Sequence, residues 1–384
     1  MTGEAVLIAA FSARALAASA KRAGYLPLVV DCFGDLDTGE FAYASRCLPA
    51  RVQTGFIARP LIAALDELIA EAPRPPIGLV LGSGFECNPR LVTRLAARYR
   101  LIGNGPEVIE RTKNPASFFA ALDKLGIRHP ETRLTPPEET AGWLMKRIGG
   151  SGGLHIVDCP AAPRPDPRRY FQRKARGEAI SLLGVIAKRG CAFAASRQWT
   201  SPLARRPYRY GGAAGSLVLE PDLEARLIEA CLTLSHEIDL VGLVSFDFLV
   251  AYGDAQLLEV NPRPGATLDV FDDGAGSMFH AHVEAAGGGD SATYLKDSWR
   301  PPVARASAFL YADQGVVNVT SFEWPRWAFD RPKAGTVVAK HQPLATVIAD
   351  GSDPHTAEIL CHERLGVLAD MLYEGKKEQG SARL

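Results

Sequence analysis

Ser245-Phe246-Asp247-Phe248-Leu249-Val250, followed after residues 251–255 by Gln256-Leu257-Leu258-Glu259-Val260-Asn261, is the stretch on which the fold turns. Both halves alternate apolar and polar side chains with the period of a strand. With residues 251–255 as the hairpin loop, Val250 pairs with Gln256 and Asp247 stands opposite Glu259. Glu259 and Asn261 share that face, while Phe246, Phe248, Leu258 and Val260 point the other way, into a core. Carboxylates set opposite one another repel and weaken a sheet. A divalent cation reverses that sign, and the oxygens of Asp247, Glu259 and Asn261 together with phosphate oxygens suit Mg²⁺. The competing reading is a solvent-facing hairpin with its acids in water. The continuation Asn261-Pro262-Arg263-Pro264-Gly265 tips the balance. Its prolines end the strand, and its guanidinium is suited to bidentate binding of phosphate or carboxylate.

Upstream, Trp143 to Ile148 reads as a strand that runs into Gly149-Gly150-Ser151-Gly152-Gly153. Lys146, between Leu144 and Ile148, projects from an otherwise apolar face and requires an anion. The glycines leave backbone N–H groups free to approach a phosphate, and Ser151 adds a hydroxyl. No Gly-Lys-Ser/Thr closes the loop, so it is not a Walker A motif. A flexible linker with a snorkelling lysine is the plainer alternative.

The first hundred or so residues alternate apolar strands (Val6 to Ala10, Leu26 to Val30, Gly78 to Leu81) with helices, the pattern of a parallel sheet covered on both faces. The last hundred or so are β-rich over Val303 to Thr320 and Gly335 to Ile348. A helix opens at Asp353-Pro354 and is expected to end at Gly375, before a loose polar tail. Lys plus Arg and Asp plus Glu both number 43, so the net charge is zero and no basic excess points to nucleic acid. The seven cysteines are scattered without a Cys-x-x-Cys pair. No apolar run has the length of a bilayer span, and no signal-peptide layout is seen. The expectation is a cytoplasmic protein with neither membrane nor nucleic-acid partner.

Thr112-Lys113-Asn114-Pro115, Lys146 with its glycine loop, Gln172 to Ser181, Asp247-Phe248 and Glu259-Val260-Asn261-Pro262-Arg263 occur in the order of an ATP-grasp fold, and here the sequence resembles that superfamily. The resemblance covers about Lys113 to Thr267. It implies an α/β fold with α+β grasp lobes: a doubly wound pre-ATP-grasp domain over residues 1–112, an ATP-grasp domain over 113–285 (small lobe about 113–175, large lobe about 176–285), and a β-rich C-terminal lobe over 286–384 with a terminal helix. Arg331 to Thr336 in that last lobe is similar to biotin-carboxylase-like carboligases.

The resemblance also implies roles. Lys113 and Lys146 contact ATP phosphates, and Gly149, Gly150, Ser151, Gly152 and Gly153 close over them. Gln172, Arg173 and Lys174 form the segment at the adenine, with Gln172 where many members have Glu, and Glu178 reaches the ribose or the substrate side. Asp247, Glu259 and Asn261 hold Mg²⁺, or Mn²⁺ in its place. Arg263, with Lys146 as the second catalytic group, stabilises the acyl phosphate or the phosphoryl group in transfer. The implied chemistry is phosphoryl transfer from ATP to a carboxylate and attack on the acyl phosphate by an amine, in which positioning and charge neutralisation supply most of the rate. Small-molecule carboxylate and amine substrates follow, with room for a homo-oligomer. A methanopterin- or methanofuran-type one-carbon cofactor pathway is one setting. A carboxyphosphate-forming carboligase is the alternative reaction, and a non-catalytic nucleotide-binding protein is the alternative class.

Other residues carry weaker signals. His155 follows the glycine loop and reads equally as a phosphate contact or a structural residue. Glu86 and Asn88, after Gly82-Ser83-Gly84, sit where a loop should line the crevice and are candidate acceptor contacts. His280-Ala281-His282 has the spacing of a strand pair but lacks further metal ligands. Tyr208 to Gly212 reads as a mobile substrate loop or an ordinary surface loop. Trp324 and Trp327 pack the C-terminal lobe.

Overall fold

The computed structural model describes residues 3–289, 301 and 303–381, with side chains to residue 373. The N-terminal region forms a parallel sheet in the order Ala44–Cys47, Leu26–Asp31, Ala5–Ala9, Leu79–Leu81. Strands Ala5–Ala9 and Leu79–Leu81 are wholly buried, as a sheet covered on both faces requires. Helix Arg14–Arg22 packs on one face, through Leu16, Ala17 and Ala20. Helices Ala58–Glu71 and Pro89–Ala96 pack on the other, through Leu61, Leu65, Leu91 and Leu95. The strand order reverses between Ala5–Ala9 and Leu79–Leu81, so the crevice opens where Ala10-Phe11-Ser12 and Gly82 to Glu86 leave the sheet.

Two antiparallel sheets follow. The smaller, of four strands, runs Thr132–Arg133, Arg169–Arg173, Trp143–Arg147, Val157–Asp158. The larger, of eight, runs Asp254–Asn261, Gly242–Ala251, Glu178–Ile186, Ala192–Thr200, Tyr210–Leu217, Ala304–Tyr311, Pro343–Gly351, Ala328–Phe329. The C-terminal strands thus continue the large sheet, through pairing of Tyr210–Leu217 with Ala304–Tyr311. One face of that sheet packs on helices Pro115–Leu125 and Pro221–Ile238, with Leu227, Cys231, Leu234 and Ile238 buried. The opposite face shares a core with the N-terminal region, in which Leu183, Val185 and Ala194 meet Leu16, Ala17 and Phe279.

Several local expectations change. The terminal helix runs Pro354–Ser381, so Gly375 does not end it, because one glycine costs a helix only about 1 kcal/mol. His280 and His282 lie on helix Ser277–Ala286, not on a strand. His280 Nδ1 bonds Tyr25 Oη at 3.0 Å, and His282 accepts from Leu243 N–H at 2.9 Å. Arg209, expected in a mobile or surface loop, is fully buried. Its guanidinium pairs with Asp313 at 2.6 Å and lies over the Tyr311 ring.

Candidate functional site

The carboxylate hairpin forms from strands Gly242–Ala251 and Asp254–Asn261. Its turn is shorter than expected: Tyr252 and Gly253 both have left-handed φ, 53° and 75°, as a tight hairpin turn requires. Val250 therefore pairs with Ala255, not Gln256. A β-bulge at Leu258 then restores the offset, and Asp247 stands opposite Glu259 with Ser245 opposite Asn261. The bulge also exchanges the roles of two leucines. Leu257 fills the core opposite Phe248, and Leu258 turns to line the cleft beside Glu259.

Asp247 is held from below. Ser181 Oγ donates to its Oδ1 at 2.6 Å and Gln198 Nε2 at 3.2 Å, while Asn261 Nδ2 donates to Oδ2 at 3.0 Å. Burial, and then the charge of Glu259, push the Asp247 carboxyl up to about 7. Glu259 moves the other way: burial opposes its charge, but Lys113, His155 and Lys146 outweigh burial and hold its pKa low. Lys113, the last residue of helix Pro106–Lys113, donates Nζ to Asn261 Oδ1 at 2.8 Å and lies 3.9 Å from Glu259. Lys113 thus partly offsets the charge that a cation would neutralise. Among the described residues no three His, Cys, Asp or Glu side chains converge as a metal cluster. A hard cation here would be held by Asp247, Glu259 and the Asn261 carbonyl, with phosphate oxygens and water completing its shell, and this all-oxygen set fits Mg²⁺.

Across the cleft, the small sheet pairs Lys146 with Tyr170 and Leu144 with Gln172. Lys146 is buried and donates Nζ to Gln172 Oε1 at 2.6 Å, and burial depresses its pKa to about 8. Gln172 Nε2 in turn donates to Thr132 Oγ1 at 3.1 Å. The glycine loop after this strand needs its glycines for distinct reasons. Gly149 has φ 67°, and a Cβ there would lie 2.6 Å from the Glu86 carbonyl oxygen. At Gly150 a Cβ would strike the His155 ring, and at Gly153 the Tyr208 carbonyl oxygen. Gly152 O accepts from Tyr210 N–H at 3.0 Å, so the large lobe straps the loop.

Arg263 reaches back to the N-terminal region, donating Nε to Glu86 Oε1 at 2.5 Å. Glu86 is buried, and its Oε2 accepts the backbone N–H groups of Gly84 and Phe85. Burial alone would raise the Glu86 carboxyl, but Arg263 and Lys113 overcome it and hold it at about 2.

The structure places Lys113, Gly149, Gly150 and Glu259 on one cleft, with Asp247 and Asn261 bonded beside Glu259 and Lys146, held by Gln172, near its charge, while Arg263 with Glu86 lines a second pocket. It does not bring Glu178 there: that residue shares the sheet face of Ile180, opposite Ser181 and Asp247, and lies 3.8 Å from Arg197. Arg173 and Lys174 also turn outward, Arg173 to the Ala141 carbonyl and Lys174 to Asp158 and the Tyr208 ring. An alternating strand cannot aim Gln172 and Arg173 at the same cleft. Asn88 caps helix Pro89–Ala96 instead of facing a ligand. Ser181 and Gln198 escaped the sequence reading as supports of Asp247. Their only signal is a cross-strand register that spans Ser181, Ser196 and Asp247.

Two lobes closing on a cleft that carries paired lysines, a glycine loop and an Asp–Glu–Asn oxygen face define an ATP-grasp fold. Residues 113–267 match the family model of the ATP-grasp domain, so this part of the chain is similar to that family. It is 24% identical over 279 residues to the carbamoyl phosphate synthase large chain of Myxococcus xanthus, covering 65% of this chain and 24% of that one. An uncharacterised protein of Methanocaldococcus jannaschii is 24% identical over 260 residues, covering 65% of this chain and 63% of that one. The chain thus spans about a quarter of the first relative and under two thirds of the second. Among solved structures, phosphoribosylamine–glycine ligase from Thermotoga maritima superposes with TM-score 0.68 at 15% identity, covering 94% of this chain and 95% of that one. Biotin carboxylase from Campylobacter jejuni gives 0.65 at 15%, covering 92% and 89%. An ADP complex of N5-carboxyaminoimidazole ribonucleotide synthetase gives 0.65 at 14%, covering 96% and 98%. Among the described residues no helix is long and apolar enough to cross a membrane.

Proposed function

We propose that this chain is an ATP- and Mg²⁺-dependent ligase that phosphorylates a small-molecule carboxylate and passes the acyl group to an amine. The observation that carries this reading is the grouping of Asp247, Glu259 and Asn261 with Lys113 and Lys146, beside the Arg263–Glu86 pair. A bound Mg²⁺ supplies charge neutralisation between phosphate groups. Lys113 and Lys146 then bind phosphate oxygens, Lys113 releasing Asn261 Oδ1 and Lys146 releasing Gln172. Arg263, anchored at Nε by Glu86, turns its remaining N–H groups toward the acyl phosphate. No side chain is needed as a nucleophile, since the carboxylate oxygen attacks the γ-phosphorus with ADP leaving, and the amine then attacks the acyl carbon with inorganic phosphate leaving. The glycine loop keeps water from the acyl phosphate. Mn²⁺ can take the place of Mg²⁺ in this reading, and the acceptor belongs to one-carbon cofactor synthesis in a cytoplasmic setting.

The test is ADP and phosphate release with a panel of carboxylates, with and without amines. Turnover that requires one carboxylate and one amine, and that is lost in Asp247→Ala and Glu259→Ala, is the expected result. Release that these substitutions leave unchanged would sink the site. Turnover with bicarbonate and no amine would favour a carboxyphosphate-forming carboligase. That second reading draws on the fold shared with biotin carboxylase and N5-carboxyaminoimidazole ribonucleotide synthetase. Tight ATP binding with no turnover on any acid would mark a non-catalytic nucleotide-binding protein.

A further inference from the structure

His155 stands two residues beyond the glycine loop, and its Nδ1 is buried without a hydrogen-bond partner. The Ser151 carbonyl favours a protonated ring, while Nδ1 has no hydrogen-bond partner. An unmade hydrogen bond at a buried nitrogen costs about 1–3 kcal/mol, so its persistence calls for a reason. The ring is not there to fill an apolar core. It lines the cleft that also contains Lys113, Arg147, Gly149, Tyr170 and Glu259. The chain also makes room for it. A Cβ on Gly150 would collide with the ring, so that glycine serves the histidine and does not merely let a phosphate approach. Around the ring stand two lysines, Lys113 and Lys146, and the carboxylate of Glu259.

Resting on the ATP-dependent reading above, we propose that His155 is a further nucleotide-contacting residue, whose Nδ1 donates a hydrogen bond to a phosphate oxygen of the bound nucleotide. The ligand class follows from the surroundings. Lysines and a glycine loop select an anion, and a phosphate oxygen is an acceptor that satisfies an imidazole N–H. The glycine loop carries His155 on its exit, so closing the loop and making this contact are one motion. The histidine thereby ties loop closure to the presence of phosphate groups beyond the first.

Calorimetric binding of AMP-PNP and of AMP, each with Mg²⁺, to the full chain and its variants tests this. His155→Ala is expected to weaken AMP-PNP about tenfold and AMP less than about twofold, the size of one hydrogen bond to a charged group. His155→Asn, whose amide reaches the place of Nδ1, restores most of the affinity, and His155→Gln, which reaches the place of the other nitrogen, does not. Equal losses for both nucleotides, or no rescue by asparagine over glutamine, overturns the proposal. If wild type binds AMP-PNP and His155→Ala binds it equally well, only the histidine assignment falls. If wild type binds neither nucleotide, the ATP-dependent reading falls with it. Should the variants fail to fold, ¹⁵N-histidine spectra of the wild type decide: the His155 Nδ1 signal must shift on adding AMP-PNP and stay in place with adenosine.

Discussion

Lys146 and Glu86 show how single side chains are set by their surroundings. Lys146 is buried with one neutral partner, Gln172, and its pKa lies at about 8. A lysine whose pKa is depressed on folding weakens the fold while it is charged, and the loss is relieved as pH rises from about 8 toward its ordinary value. An arriving triphosphate raises that pKa again. AMP-PNP binding at pH 8.5 is therefore expected to take up protons, read as a binding enthalpy that changes with the ionisation enthalpy of the buffer; Lys146→Met should abolish the uptake. Glu86 is the reverse case, a buried acid held at about 2 by Arg263 and Lys113. Glu86→Ala leaves the partly buried Arg263 guanidinium beside no acid and costs about 3 kcal/mol, measured by denaturant unfolding. Glu86→Gln retains an oxygen for Arg263 Nε, folds more stably than the alanine variant, and lowers turnover because the guanidinium loses its fixed edge.

At the scale of elements, the bulge at Leu258 and the cap at Asp35 each make a claim. Without Leu258 the regular register of the hairpin tip, Val250 with Ala255, would carry straight on and still set Glu259 against Asp247. Deleting Leu258 is therefore expected to leave the carboxylate pair and the fold in place while removing an apolar wall of the cleft. The measurement is AMP-PNP affinity, which should fall several-fold with far-UV dichroism unchanged; loss of the fold would show that the bulge sets the register. Asp35 caps helix Leu36–Phe41, accepting from Thr38 N–H at 2.7 Å and from its hydroxyl at 2.8 Å. Burial, and then Asp330, raise its carboxyl to about 7. A carboxyl raised on folding adds stability that is fully present below its ordinary pKa near 4 and is lost as pH climbs through about 7. An asparagine side chain caps as well without the charge, so Asp35→Asn should raise the melting temperature at pH 8 and change it little at pH 5, by on the order of 1 kcal/mol at the higher pH.

The whole molecule is locked where its three regions meet. Arg14, at the start of the first helix, is buried and bonds Asp269 and Asp330, both far along the chain. Ser12 and Thr346 also donate to Asp330. Arg14→Met strands two partly buried acids and is expected to cost about 3 kcal/mol, with trypsin cutting between regions before global unfolding; an unchanged proteolytic pattern would show that the apolar interface alone holds them. Much of this protein could be read along the chain. Alternation marked the strands, Gly82 to Glu86 marked the crevice, and Asp247, Glu259, Asn261 and Arg263 were picked out because strand period and prolines are local rules. The Asp247–Glu259 pairing was reached through a longer loop than the real one, and the bulge made up the difference. What lay beyond the sequence were contacts between residues far apart in it: Glu86 with Arg263, Ser181 and Gln198 beneath Asp247, Arg209 against Asp313, and Arg14 between two aspartates. Glu178, Arg173 and Lys174 went astray for the same reason, because which face of a strand meets the cleft depends on how one sheet stacks against another. Local chemistry selects the strand, helix and turn; long-range packing and charge pairing, invisible in any short window, select which side chains share a cavity.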